Sequence, residues 1–109
     1  MAIFASANKK VTFSGNTTSD WIPLSPGLNR ILVKSTSWSG SSLALRYNDA
    51  DTTNDFALKD GAGSAITATA NAYHDVFGPG YVRGIMSSHG GTAVTLEVID
   101  EETPMAGRT

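Results

Sequence analysis

Apolar and polar residues alternate along much of this 109-residue chain, and the repeat is two residues, the period of a strand. The plainest instance lies near the end, where Val94, Leu96 and Val98 alternate with Ala93, Thr95, Glu97 and Ile99. Such a run is a strand with one buried face. An earlier run is launched by Gly78-Pro79-Gly80, and Gly90-Gly91 separates the two. Paired glycines take positive φ without a Cβ clash, so the pattern predicts a terminal β-hairpin. Leu43, Leu45 and Tyr47 likewise share one face of a run over 42–47. Further short strands are predicted at 10–14, at 20–24 with Pro23 suited to an edge, at 29–38, and at 55–59 on Phe56 and Leu58. The alanine-rich stretch 64–72 fits a helical turn almost as readily, although Ile66, Thr67 and Thr69 favour a strand. Ser25-Pro26-Gly27, Ser39-Gly40-Ser41 and Asp60-Gly61-Ala62-Gly63 read as turns.

Short strands at this spacing predict an all-β fold, an antiparallel β-sandwich, jelly-roll-like, of about eight strands. Residues 1–9 form an arm or edge strand, 10–100 the sandwich domain, and 101–109 a loose tail. In this register Val94, Leu96 and Val98 share a core with Leu43 and Leu45.

Composition narrows the function classes. Cysteine is absent, which removes disulfides, thiolate metal sites and a cysteine nucleophile. The formal net charge is -2, and no basic run exceeds Lys9-Lys10, so the footprint of a nucleic-acid partner is missing. The opening Met-Ala-Ile-Phe-Ala-Ser-Ala has no positive region before it and is too short for a signal core. No segment has the length of a membrane helix. These features predict a soluble protein made in the cytoplasm, with no membrane partner.

Candidate chemistry is sparse. Asp49, Asp51 and Asp55 fall at offsets resembling a calcium loop, but the required glycine is Asn54 and no flanking helices are evident. A solvated loop with Asp and Asn capping turns is the favoured reading, and no metal or other cofactor is expected. His74-Asp75 and His89 are the chain's histidines, and no serine stands in a nucleophile elbow, so an enzyme is not expected. Gly78-Pro79-Gly80 lacks the amide that proline removes and precedes a strand, which excludes a phosphate cradle. Trp21, Trp38, Tyr47, Tyr73 and Tyr81 are the aromatics open to a sugar-stacking platform, Trp38 and Tyr47 foremost, against the favoured alternative that they pack the core and the sheet rim.

The order of features over 11–99 resembles small phage virion proteins of the head-decoration and head-fibre kind. Phe13-Ser14-Gly15 with Trp21-Ile22-Pro23-Leu24 is similar to their opening strands. The run from Trp38 to Tyr47 resembles their small-residue turn and alternating strand, and Gly78-Pro79-Gly80-Tyr81-Val82-Arg83 their glycine-rich turn before Tyr-x-Arg. The middle loop departs, running Asp51-Thr52-Thr53-Asn54-Asp55-Phe56 where those proteins have Gly-Gly-Thr-Thr-Trp. The resemblance implies a non-enzymatic protein of the virion, commonly trimeric, bound to the phage major capsid protein and stabilising the shell from outside. The apolar pair Ile3 and Phe4 is then the expected capsid or subunit contact. A carbohydrate-binding module of a phage tail or enzyme is the alternative.

Overall fold

The computed structural model describes residues 9–49 and 55–100. Among these residues the chain is all β with no helix, in eight strands. They are β1 (Lys10–Phe13), β2 (Thr17–Thr18), β3 (Ile22–Lys34), β4 (Ser42–Asn48), β5 (Phe56–Ala57), β6 (Thr67–Ala68), β7 (Ala72–Ser87) and β8 (Val94–Asp100). Every pairing is antiparallel. One hydrogen-bonded sheet results, in the order β1-β8-β3-β7-β4-β5, with β2 added to β7 and β6 to β4.

Two strands organise the sheet. β3 is 13 residues long and β7 is 16, and each serves both halves of the molecule. A bulge between Pro26 and Gly27 of β3 lies against Gly78 of β7; the two strands stay paired across it, while β8 joins β3 only beyond it, from Asn29, and β4 joins β7 only from Tyr81. On one side, residues 29–34 of β3 pair with β8 and residues 28–33 with the first part of β7. On the other, residues 81–87 of β7 pair with β4. The halves close over one another around a shared core. Phe13 at the β1 end of the sheet and Leu43 on β4 both crowd Gly84 of β7, where an added Cβ would lie 3.0 Å from Phe13 Cζ and 2.7 Å from Leu43 Cδ1. The fold is therefore sandwich-like, made from one bent sheet.

Burial follows the two-residue period. Val94, Leu96 and Val98 are buried in one core with Leu43 and Leu45, as their alternation predicts. Ile31, Val33, Phe13, Ile22, Leu24, Val82 and Met86 complete its centre. Pro23 pairs with Tyr81 on one side, and β8 joins β3 only from Asn29 onward, so the proline occupies an edge.

A buried polar cluster holds the bulge. Asn29 accepts the Ser25 N–H at 3.0 Å and donates to the Ser25 and Gly27 carbonyls at 2.9 and 3.1 Å. The Ser25 hydroxyl donates to the Asp100 carboxylate. Lys9 Nζ reaches the same carboxylate at 2.8 Å and Ser25 Oγ at 2.9 Å, and Lys9 and Asp100 are both buried. Lys9 is thus packed into the domain, and its carbonyl accepts the Val98 N–H of β8.

Three expectations are corrected. Ser25-Pro26-Gly27 and Gly78-Pro79-Gly80 are bends inside continuous strands rather than turns between strands. The terminal hairpin does not form, because β3 lies between β7 and β8 and residues 88–93 carry the chain from one half of the sheet to the other. Local alternation and a glycine pair mark two strands and a reversal but leave their partners to long-range packing. Gly90 is needed for close approach: a Cβ there would collide with the Ser39 carbonyl oxygen and lie 2.6 Å from Ser39 Cβ. Of the stretch 64–72, only Thr67–Ala68 and the start of β7 are strand.

Leu96→Ala should lower unfolding free energy by about 2–5 kcal/mol through lost transfer energy and a cavity. A loss in denaturant melts below about 0.5 kcal/mol, the scatter of surface changes, would contradict this register. Gly90→Ala should cost about 1–3 kcal/mol by overpacking. Gly15→Ala, where an added Cβ meets nothing within 4 Å, should be nearly neutral in the same assay.

Candidate functional site

The most exposed large apolar side chains of the described residues are Phe77 at 72%, Tyr73 at 60% and Phe56 at 49%. Phe77 and Tyr73 belong to one strand and one face. Residues directly opposite in an antiparallel pair point the same way, so the register places Leu28 beside Phe77, Arg30 beside Asp75 and Leu32 beside Tyr73. From β8, Ile99 stands next to Arg30 and Glu97 next to Leu32. The outer face of this half-sheet is an aromatic and aliphatic surface with a few charges set into it.

Those charges are paired among themselves. Arg30 grips Asp75 with two hydrogen bonds, of 2.8 and 3.1 Å, and its guanidinium lies 4.2 Å from the centre of the Tyr73 ring. The hydrogen bond from Arg30 holds the Asp75 carboxyl below its ordinary range. Lys34 pairs with Glu97 at 3.0 Å. The face therefore offers apolar area without an uncompensated field.

The other half-sheet carries a second set of the same kind. Arg46 and Arg83 stand directly opposite on β4 and β7, a repulsive placement for like charges. Asp55 resolves it, binding Arg46 Nε through one oxygen and Arg83 Nη2 through the other, each at 2.8 Å. Arg83 also stacks on Trp21, 4.3 Å from the ring centre. The Arg46 hydrogen bond, supported by Arg83, holds the Asp55 carboxyl below its ordinary range.

The residues singled out from the sequence do not gather into one site. Ile3, Phe4 and Asp51 lie outside the described residues. Asp55 is the counter-ion of two arginines, and Asp49 is exposed at the end of β4. Among the described residues no group of three or more His, Cys, Asp or Glu is placed to hold a metal ion. Trp38 is half-buried against the core, and its Nε1–H donates to Asn71 at 2.8 Å. Tyr47 also packs on the core and donates to the Pro79 carbonyl at 3.0 Å. They lie at opposite ends of β4 rather than side by side. His89 ties its loop to the β1–β2 connection: its ring meets the Phe13 carbonyl and the Gly91 N–H, and its own N–H donates to Asn16. Asp60 caps a turn by accepting the Ala62 and Ser64 N–H groups, which hold its carboxyl below the ordinary range.

The sequence offers Tyr73 as one stacking aromatic among five, but the face it shares with Phe77 was missed. The signal was there, since positions 73, 75 and 77 alternate with 74 and 76, but nothing local shows which set faces water. No protein-family model matches the chain, and no curated protein is detectably similar to it.

Asp55 gives a pH prediction. Its folded carboxyl titrates below the unfolded value, so its contribution to stability is complete above the ordinary carboxylate range and is lost as pH falls through and below it. Urea midpoints followed from neutral pH to about pH 3 should fall for the wild type and less steeply for Asp55→Asn. Parallel curves would show that the arginine pair does not depend on this carboxylate.

Proposed function

We propose that this is a non-enzymatic structural protein of a virion that decorates or cements a phage capsid, with the outer face of β3, β7 and β8 as its contact surface. One observation carries the reading: Phe77 and Tyr73 stand open to water on the part of β7 that β3 holds in register. A monomeric domain gains nothing by holding two large rings in this way, whereas a partner surface gains buried area at little ordering cost. The charges on the face are internally paired, which suits a contact based on apolar area rather than on steering. The order of sequence features that resembles head-decoration proteins supplies the partner, the phage major capsid protein. It also supplies the expectation of a closed homotrimer.

The alternative, a carbohydrate-binding module, draws on the same face. Tyr73 and Phe77 are four residues apart on one strand, about 13 Å at about 3.3 Å per residue, a spacing that two sugar rings could bridge. Trp38 and Tyr47 use their polar tips within the fold, so this platform is the better sugar surface.

Co-sedimentation with purified capsids tests the proposal. Phe77→Ala should keep the melting temperature and weaken capsid binding at least about tenfold, as a central contact residue does. Binding should persist from low salt to several times the ionic strength at which the Debye length is about 10 Å. Unchanged binding by the variant would overturn the contact surface. Saturable glycan binding that Phe77→Ala abolishes, with no capsid association, would replace the capsid reading by the sugar one.

A further inference from the structure

One long edge of the sheet is left without a neighbour among the described residues. Residues 72–77 of β7 pair with β3 on one side, and β4 joins the other side only from Tyr81 onward. Alternate residues of a strand turn their N–H and C=O groups to opposite sides, so this edge presents main-chain donors and acceptors that no described strand takes up. Other edges are short: β1 has four residues and begins with Lys10, while β5 and β6 have two each. The β7 edge carries no lysine, its proline comes only at position 79, and its one carboxylate is neutralised by Arg30.

A groove runs beside this edge. It consists of two adjoining clefts, of about 260 and 300 Å³, which share Asp60, Ile66 and His74. Ala72 and Tyr73 form its β7 wall, and Ala65, Ala68 and Ala70 leave room for side chains on the other. An extended segment laid here would pair with β7 and pack on the rim of the core between the two halves of the sheet.

The chain contains a segment of matching chemistry. Ala2-Ile3-Phe4-Ala5-Ser6-Ala7 is uncharged, small and apolar, with two large side chains to fill the clefts. The reach from Lys9 argues for a second copy as its acceptor. Lys9 is held on the far side of β8, where its carbonyl accepts the Val98 N–H. From β1 to a position outside β7 is four strand spacings, about 19 Å at about 4.8 Å each. That consumes about six extended residues at about 3.3 Å, so the stretch from Phe4 to Ala7 would be spent in crossing the sheet and could not run along the edge. We infer that the groove along residues 72–77 of β7 receives the N-terminal segment of a second copy of this chain, as an added antiparallel or parallel strand. Each copy then gives one arm and accepts one, a head-to-tail contact that closes into a ring. This goes beyond the capsid reading and stands independently of it.

Light scattering on the purified full chain at micromolar concentration tests the inference. The wild type should have the mass of a closed multimer. Phe4→Asp, which spoils the arm, and Ala70→Trp, which fills the groove from an exposed position, should each give the mass of one chain at an unchanged melting temperature. An equimolar mixture of the two variants retains one good arm and one good groove and should recover dimers. A monomeric wild type would overturn the inference. So would a Phe4→Asp variant that stays multimeric, or one that is monomeric but melts early, since the arm would then belong to its own fold. Loss of capsid binding by Phe77→Ala with the ring intact leaves this inference standing, and a monomeric wild type that still binds capsids refutes it alone.

Discussion

The bend in β3 and β7 is the constraint from which the rest of the molecule follows. A sheet of eight strands in so short a chain cannot bury a core while it stays flat, because each strand has only one apolar face. Folding the two longest strands back on themselves brings those faces together. The bulge at Pro26 and Gly27 permits the fold, since an extra residue on one strand bends it and increases its twist. A bulge also leaves main-chain groups without ladder partners, and in a buried place that is costly. Asn29 meets this need with its amide, taking the Ser25 N–H and giving to two carbonyls. Lys9 and Asp100 then tie the two ends of the described domain to Ser25 at the same point. A buried ion pair of this kind is weak as a source of stability but exacting about geometry, because loss of either partner strands a charge.

Once the bend is set, the outer faces are set with it. The half-sheet built on residues 29–34 and 72–77 turns Leu28, Phe77, Leu32 and Tyr73 to water, because the alternate positions are committed to the core. In each half an arginine of the face sits on an aromatic ring and binds an aspartate: Arg30 with Tyr73 and Asp75, Arg83 with Trp21 and Asp55. On the face of β3, β7 and β8 the pairs Arg30–Asp75 and Lys34–Glu97 cancel one another's charge and hold the side chains in place. Rigid, neutral and apolar is the character of a contact surface, and that character underlies the functional reading.

The strands were largely legible. Period-two alternation marks β4 and β8 because each has one face in the core and one outside, and a one-residue slip would invert every side chain. Pro23 marked an edge because it has no N–H to give. The bends were misread as turns for an equally local reason: Ser-Pro-Gly and Gly-Pro-Gly break any run of hydrogen bonds, and whether the chain reverses or continues depends on the opposing strand. In the structure the two breakers face each other, Gly27 and Pro26 against Gly78, so the irregularity of one strand accommodates that of the other. The polar cluster around Ser25 was invisible for the same reason, since Lys9 and Asp100 are far apart in sequence and unremarkable in place.

What the sequence determined by itself is the set of elements and the side of each strand that seeks the core, because alternation, β-branching, proline and glycine act within a few residues. What only the tertiary structure decided is which strands are neighbours. From that came everything at the surface: that β3 separates β7 from β8, that Asp55 stands between two arginines, that Trp38 and Tyr47 spend their polar tips inside the fold, and that Tyr73 and Phe77 remain outside. Those outcomes depend on register between distant segments, and register is set by how apolar faces bury against each other across the whole bent sheet, an energy that no short stretch of sequence contains.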